Sequence, residues 1–289
     1  MKKSRLLALL AGACLTANAG AATFSDTYIG WRYGTEFAEP FETNNISKNI
    51  FNLSNVSGYT YGTNFFNVDL LISDQKDPAG FNPATGTPQA TGAQEAYVVY
   101  RNTAYFSKIF GQSFSYGPVR DVGIQAGFDW NTKKDAGYNS KKQMFVIGPD
   151  VSFDVPGFLD IALLELYESN APYSDFTSSG IARYHYTPHP ALSGAFGIGV
   201  GDLPLTFKGY FIWIAAKGKD EFGNDTQAET HFDVELMADM GKIVGPALSQ
   251  LKLGIEYEYW QNKFGNTADG PAGSGAFAHT PMVRAEYHF

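Results

Sequence analysis

The chain has 289 residues, with 29 acidic against 21 basic side chains and a formal net charge of −8, a balance that argues against a nucleic-acid polymer as partner. Its single cysteine, Cys14, rules out an internal disulfide, so a secreted chain of this size would rest on ladder hydrogen bonds and burial. Aromatic residues reach 15% and glycines number 31, yet mean hydropathy is −0.20; no stretch has the length and apolarity of a transmembrane helix, while a barrel whose lipid and lumen faces alternate has this averaged profile.

Taken in chain order, the first element is a targeting segment. Lys2, Lys3 and Arg5 precede a short apolar run from Leu6 to Leu15, and Ala17-Asn18-Ala19 and Ala19-Gly20-Ala21 offer small residues for cleavage. That is the pattern of a secretory signal peptide over residues 1–21. Ala11-Gly12-Ala13 before Cys14 also admits a lipoprotein reading, weakened by the absence of Leu three residues before the cysteine. Without Lys2, Lys3 and Arg5 the remainder has 18 basic and 29 acidic residues, a net charge of −11.

Residues 22–289 read as one domain of twelve strands, near 24–36, 46–56, 59–73, 92–106, 118–131, 141–155, 158–169, 181–200, 204–217, 226–241, 249–264 and 278–289. The connections alternate. Ser57-Gly58, Pro156-Gly157 and Gly201-Asp202-Leu203 are tight, with 107–117 and 242–248 as looser members of the same set. Between them lie longer polar loops at 37–45, 74–91, 132–140, 170–180, 218–225 and 265–277. Short turns at one rim and long loops at the other are the plan of an outer-membrane barrel, and an even strand number puts both termini on the short-turn, periplasmic side.

Within strands the period is two. Leu251, Leu253, Ile255, Tyr257 and Tyr259 oppose Lys252, Gly254, Glu256, Glu258 and Trp260; Ile29, Trp31 and Tyr33 oppose Tyr28, Gly30 and Arg32. Leu163-Leu164 and Phe211 to Ile214 are apolar on both faces and stay unassigned. The last strand alternates Val283, Ala285, Tyr287 and Phe289 with charged neighbours, and its terminal Phe is the signature by which barrel-assembly machinery would take the strand. Charges on every inner face and aromatics at strand ends favour an antiparallel transmembrane β-barrel of an outer membrane over a soluble sandwich or cupin-like barrel.

Alternation assigns to the lumen Tyr28, Arg32, Tyr61, Phe65, Asn67, Asp69, Tyr97, Arg101, Gln125, Asp129, His231, Asp233, Glu235, Glu256, Glu258, Trp260, Arg284 and Glu286. The mixture of rings, amides and both charge signs suits a small uncharged aromatic solute better than a phosphate. Asp69, Arg101, Glu256 and Arg284 are the expected ion-pair formers near the midplane. The alternative for each residue is that paired charges and tyrosines simply fill a narrow barrel. The histidines lack metal spacing, and His185 and His189, beside prolines, read as turn residues. No cofactor, metal or catalytic residue is expected. His231 with Asp233 leaves room for a barrel hydrolase of lipase or protease type, and a structural or receptor barrel is the third reading.

Lys48 to Asp74, Phe128-Asp-Trp-Asn-Thr-Lys133, Gly254 to Gly265 and Met282 to Phe289 resemble the nucleoside-specific outer-membrane channel (Tsx) family, in a divergent branch. The likeness covers about residues 24–289. It implies a monomeric twelve-stranded barrel in outer-membrane lipid that passes nucleosides and deoxynucleosides by diffusion, without assigning individual solute-contacting residues.

Overall fold

The computed structural model describes residues 22–82, 84–175 and 178–289; the expected signal peptide, 1–21, lies outside the described residues. The twelve strands of the barrel are β1 (Phe24–Phe37), β2 (Ile46–Tyr59), β3 (Gly62–Ser73), β4 (Gln94–Tyr105), β5 (Val119–Lys134), β6 (Gln143–Phe153), β7 (Gly157–Asn170), β8 (His189–Gly199), β9 (Leu205–Ile214), β10 (Glu229–Asp239), β11 (Leu251–Gln261) and β12 (Phe277–His288). Each pairs antiparallel with its sequence neighbours, and β12 returns to β1 with Trp31 opposite Ala285 and Arg32 opposite Arg284. The sheet is therefore closed, and closure leaves no edge of unpaired backbone groups.

The outer face explains where such a barrel can live. Ile29, Phe51, Leu53, Leu70, Ile124, Phe145, Leu163, Trp213, Ile255 and Val283 all point outward and are exposed. A continuous apolar belt of this kind is far beyond what a water-soluble surface carries and fits the hydrocarbon of a bilayer. Aromatics mark its borders: Trp31 stacks with Tyr33 at 6.3 Å and Phe232 with Tyr259 at 4.8 Å.

Connections alternate as expected, with two revisions. The β2–β3 turn is Thr60-Tyr61, not Ser57-Gly58. Gly58 remains in the ladder because a Cβ there would meet the Phe24 ring at 2.5 Å, so its small size serves packing rather than a turn. Tyr61 consequently sits at the short-turn rim, 53% exposed, instead of on the lumen wall. The stretch 181–200 is also not one strand. Pro188 and Pro190 flank His189, and a proline lacks the donor a ladder needs; β8 begins only at His189, while Tyr184–His185 form a separate short pair with β7.

Three short-rim connections are tight. The other two carry single helical turns: α1 (Phe106–Phe110), ended by Gly111 in the left-handed region at φ 67, and α2 (Met240–Ile243), capped by the Asp239 side chain accepting from the Lys242 amide. At the opposite rim the long loops fold inward. Gly275 lies so close to the 38–45 loop that a Cβ would meet the Glu39 carbonyl at 1.8 Å, which ties the first and last long loops together.

Candidate functional site

The interior has two unlike walls. On β6–β9 the inward residues Met144, Val146, Ala162, Leu164, Leu166, Ala191, Ile212 and Ile214 form one apolar cluster, with Asp150, Glu168 and Lys208 inward towards the strand ends. Val146 and Leu166 are completely buried, so this wall fills its side of the barrel. The ambiguous runs are thereby assigned: Leu164, Ile212 and Ile214 face in, while Leu163, Phe211 and Trp213 face out. A lumen polar on all sides, as alternation elsewhere suggested, is corrected here.

The facing wall is ionic. Arg32 on β1 donates to Asp69 on β3 at 2.5 Å and to Glu256 on β11 at 2.7 Å, with Asp233 of β10 at 3.6 Å. Arg284 on β12 meets Glu256 at 2.6 Å, Glu235 at 2.7 Å and Glu286 at 2.8 Å, and lies within 3.3 Å of the Tyr28 hydroxyl. Lys208 of β9 extends the chain to Glu235 at 3.3 Å and Glu286 at 2.9 Å. Of the expected midplane formers, Asp69, Glu256 and Arg284 thus share one network. Arg101 stands apart, paired with Asp129 at 2.5 Å, where Tyr97 also donates at 2.9 Å. Asn67 donates to Asp69 at 3.0 Å, and Gln125 to Asp150 at 3.2 Å.

Between the walls several inward side chains stay accessible. Tyr210 keeps 41% exposure although its strand register turns it inward opposite Asp233, and Phe65 keeps 37%. Arg32, Asp69 and Asp233 retain 13–14% at their side chains. Above Tyr210 runs a column of rings. Tyr210 meets His231 edge-on at 5.3 Å, His231 stacks on Trp260 at 4.2 Å and 8°, and Trp260 meets Phe264 at 4.8 Å. Carboxylates flank the column: Glu229 accepts from the Trp260 indole at 3.2 Å, and Glu258 lies 3.5 Å from His231.

Tyr210 and Lys208 escaped sequence reading because β9 is apolar on both faces around them. His189 was misread as a turn residue; it opens β8, is 2% exposed, and shares its Nδ1 with the Thr187 carbonyl at 2.8 Å. His231 contacts Tyr210, Trp260 and Glu258, and among the described residues no serine hydroxyl is hydrogen-bonded to it. The nucleophile–base pair that a serine hydrolase would need is not assembled there.

At the long-loop mouth, Glu39 collects three lysines: Lys48, Lys263 at 3.4 Å and Lys133 at 3.8 Å. Lys133 continues to Asp77 and Asp135, both at 3.0 Å. A second latch joins loop 215–228 to the rim, where Glu221 accepts from the Tyr138 hydroxyl and from Tyr186 at 2.5 Å. Burial alone would raise the pKa of Glu39, but Lys133, Lys263 and Lys48 outweigh it and hold the carboxyl well below the usual carboxylate range. A lowered folded-state pKa gives stability that is complete above the unfolded value of about 4.5 and lost as pH falls through the folded one. Glu39→Gln should therefore lower Tm at pH 7, and the difference from the parent should shrink as the pH falls below about 4.5, vanishing only once the folded-state carboxyl is itself protonated. Thermal melts followed by circular dichroism across pH check this.

Comparison with family models finds no match, and none is found among curated proteins. Among solved structures, the KdgM porin is similar at 10% identity and a TM-score of 0.43, over 91% of this chain and 99% of that one. The translocator domain of the autotransporter NalP from Neisseria meningitidis gives 11% and 0.44, over 99% and 95%. Salmonella typhi OmpF, in complex with daunomycin, gives 8% and 0.42, over 92% and 97%. The barrel is established by its own closed strand pairing.

Proposed function

We propose that this barrel is a diffusion channel of a Gram-negative outer membrane for small uncharged solutes, with nucleosides as the class its interior suits. The ring column from Phe264 through Trp260 and His231 to Tyr210 carries the reading. Stacking a base on a ring is worth about 1–3 kcal/mol and tolerates any base, and successive weak sites let a solute both enter and leave. Carboxylates beside the column, Glu229, Glu258 and Asp233, accept hydrogen bonds from base amines and ribose hydroxyls. They also disfavour phosphate, which like them is negative.

The test is swelling of proteoliposomes. Adenosine should enter clearly faster than a sugar of equal size; equal rates would end the nucleoside assignment while leaving a general channel, and no swelling with either would end the channel itself. Loss of phospholipid or peptide hydrolysis on His231→Ala would instead revive the hydrolase. The reading also makes the chain a monomer whose signal peptide is removed and whose last strand is taken up by the barrel-assembly machinery. Phe289 is 67% exposed and adds one backbone bond, its amide donating to Thr27 at 2.9 Å. Deleting it should reduce the heat-modifiable form in cells while sparing refolding in detergent; unchanged insertion in cells would refute the role.

A further inference from the structure

Two of the five short-rim connections are longer than a barrel needs. The β4–β5 connection, residues 106–118, holds α1 and an aromatic cluster in which Phe106, Phe110 and Phe114 lie 5.7–6.0 Å apart. Ile109 and Phe110 are nevertheless 45% and 62% exposed. The β10–β11 connection, residues 240–250, holds α2, with Ile243 and Val244 at 52% and 64%. Apolar side chains left this open at a rim facing water forgo part of the gain of burial.

Three observations say what covers them. The connections lie six strands apart in a ring of twelve, hence on opposite sides of the barrel. Each continues an outward apolar row, since Ala238 and Leu253 face lipid directly above α2 and Ile124 faces it beside α1. Each also carries an exposed lysine, Lys108 or Lys242, the latter 3.8 Å from the Asp239 carboxylate that caps α2, in a chain with 29 acidic against 21 basic side chains. Apolar residues with a lysine beside them match the boundary between acyl chains and anionic headgroups.

We propose that α1 and α2, each with the loop that follows it, are a pair of interfacial anchors seated in the phospholipid leaflet on the short-turn side. They hold the barrel upright and fix its depth from two opposite points. The inference rests on the outer-membrane reading above, but not on the identity of the solute.

The test uses the full chain with Cys14→Ser and one new cysteine, Phe110→Cys or Val244→Cys. Each is labelled with an environment-sensitive fluorophore and refolded into phosphatidylethanolamine–phosphatidylglycerol vesicles. Thr85→Cys, exposed on a long loop, is the aqueous control, and Leu253→Cys, on the lipid belt, is the buried one. Both anchor probes should be quenched by lipids spin-labelled near the headgroup and be shielded several-fold from iodide relative to Thr85→Cys. If the barrel inserts, as Leu253→Cys and heat modifiability report, while both anchor probes are as open to iodide as Thr85→Cys, the anchor proposal is overturned and the barrel reading stands. Shielding that appears only in native membranes would assign the patches to a protein partner and overturn it equally. Failure of Leu253→Cys to enter lipid would count against the membrane reading itself.

Discussion

Glu256→Ala should lower the unfolding free energy of the barrel by about 3–5 kcal/mol, the usual result of removing one partner from a buried ionic group. The Glu256 side chain is fully buried and accepts from Arg32 at 2.7 Å and Arg284 at 2.6 Å. Removing it leaves two guanidinium groups facing each other across a cavity. Asp69, Glu235 and Glu286 still neutralise them in part, which places the expected loss toward the lower end of that range. Urea unfolding in lipid vesicles measures it. Glu256→Gln keeps an acceptor oxygen and should cost less. Glu256→Ala combined with Arg284→Met should cost less than the sum of the two single changes, because the second removes a charge that the first stranded. A loss under about 1 kcal/mol for Glu256→Ala would mean that lumen water solvates the arginines unaided, as it does in exposed pairs.

Trp260→Ala should weaken adenosine binding in the passage by about 5–150-fold, the equivalent of 1–3 kcal/mol of lost stacking. Block of ion current by adenosine, measured across a planar bilayer, reads this directly. The indole also donates to Glu229 at 3.2 Å and lies under Lys263 at 4.9 Å, so a fall in affinity alone could come from a moved lysine. Trp260→Phe separates the causes, since it keeps the ring and loses the donor. Adenosine block should survive in Trp260→Phe and fail in Trp260→Ala. Equal block in all three proteins would take the ring column out of the solute's path.

The barrel was legible because period two is a local property. Ile29 and Trp31 against Tyr28 and Arg32, or Ile255 and Tyr257 against Glu256 and Glu258, declare their faces without reference to any other strand. What could not be read was contact across the lumen. Arg32 and Asp233 lie 201 positions apart in the chain and meet only because the ring closes. Tyr210 was hidden between Gly209 and Phe211, next to the Phe211–Ile214 run that is apolar on both faces. Tyr61 went the other way, since a glycine that makes room for Phe24 looks like a turn glycine in one dimension. Glu39 and Lys263 sit in loops, where no periodicity points to a partner.

The ionic wall has a consequence for how the molecule enters its membrane. Arg32 belongs to the first strand and Arg284 to the last, and their acidic partners come from β3, β10, β11 and β12. Until β1 meets β12, Arg32 keeps Asp69 but lacks Glu256 and Asp233, which lie across the seam, and a charge short of its partners in hydrocarbon costs several kcal/mol. The ionic wall thus rewards closure, because Arg32 reaches Glu256 and Asp233 only when the two ends of the chain have met.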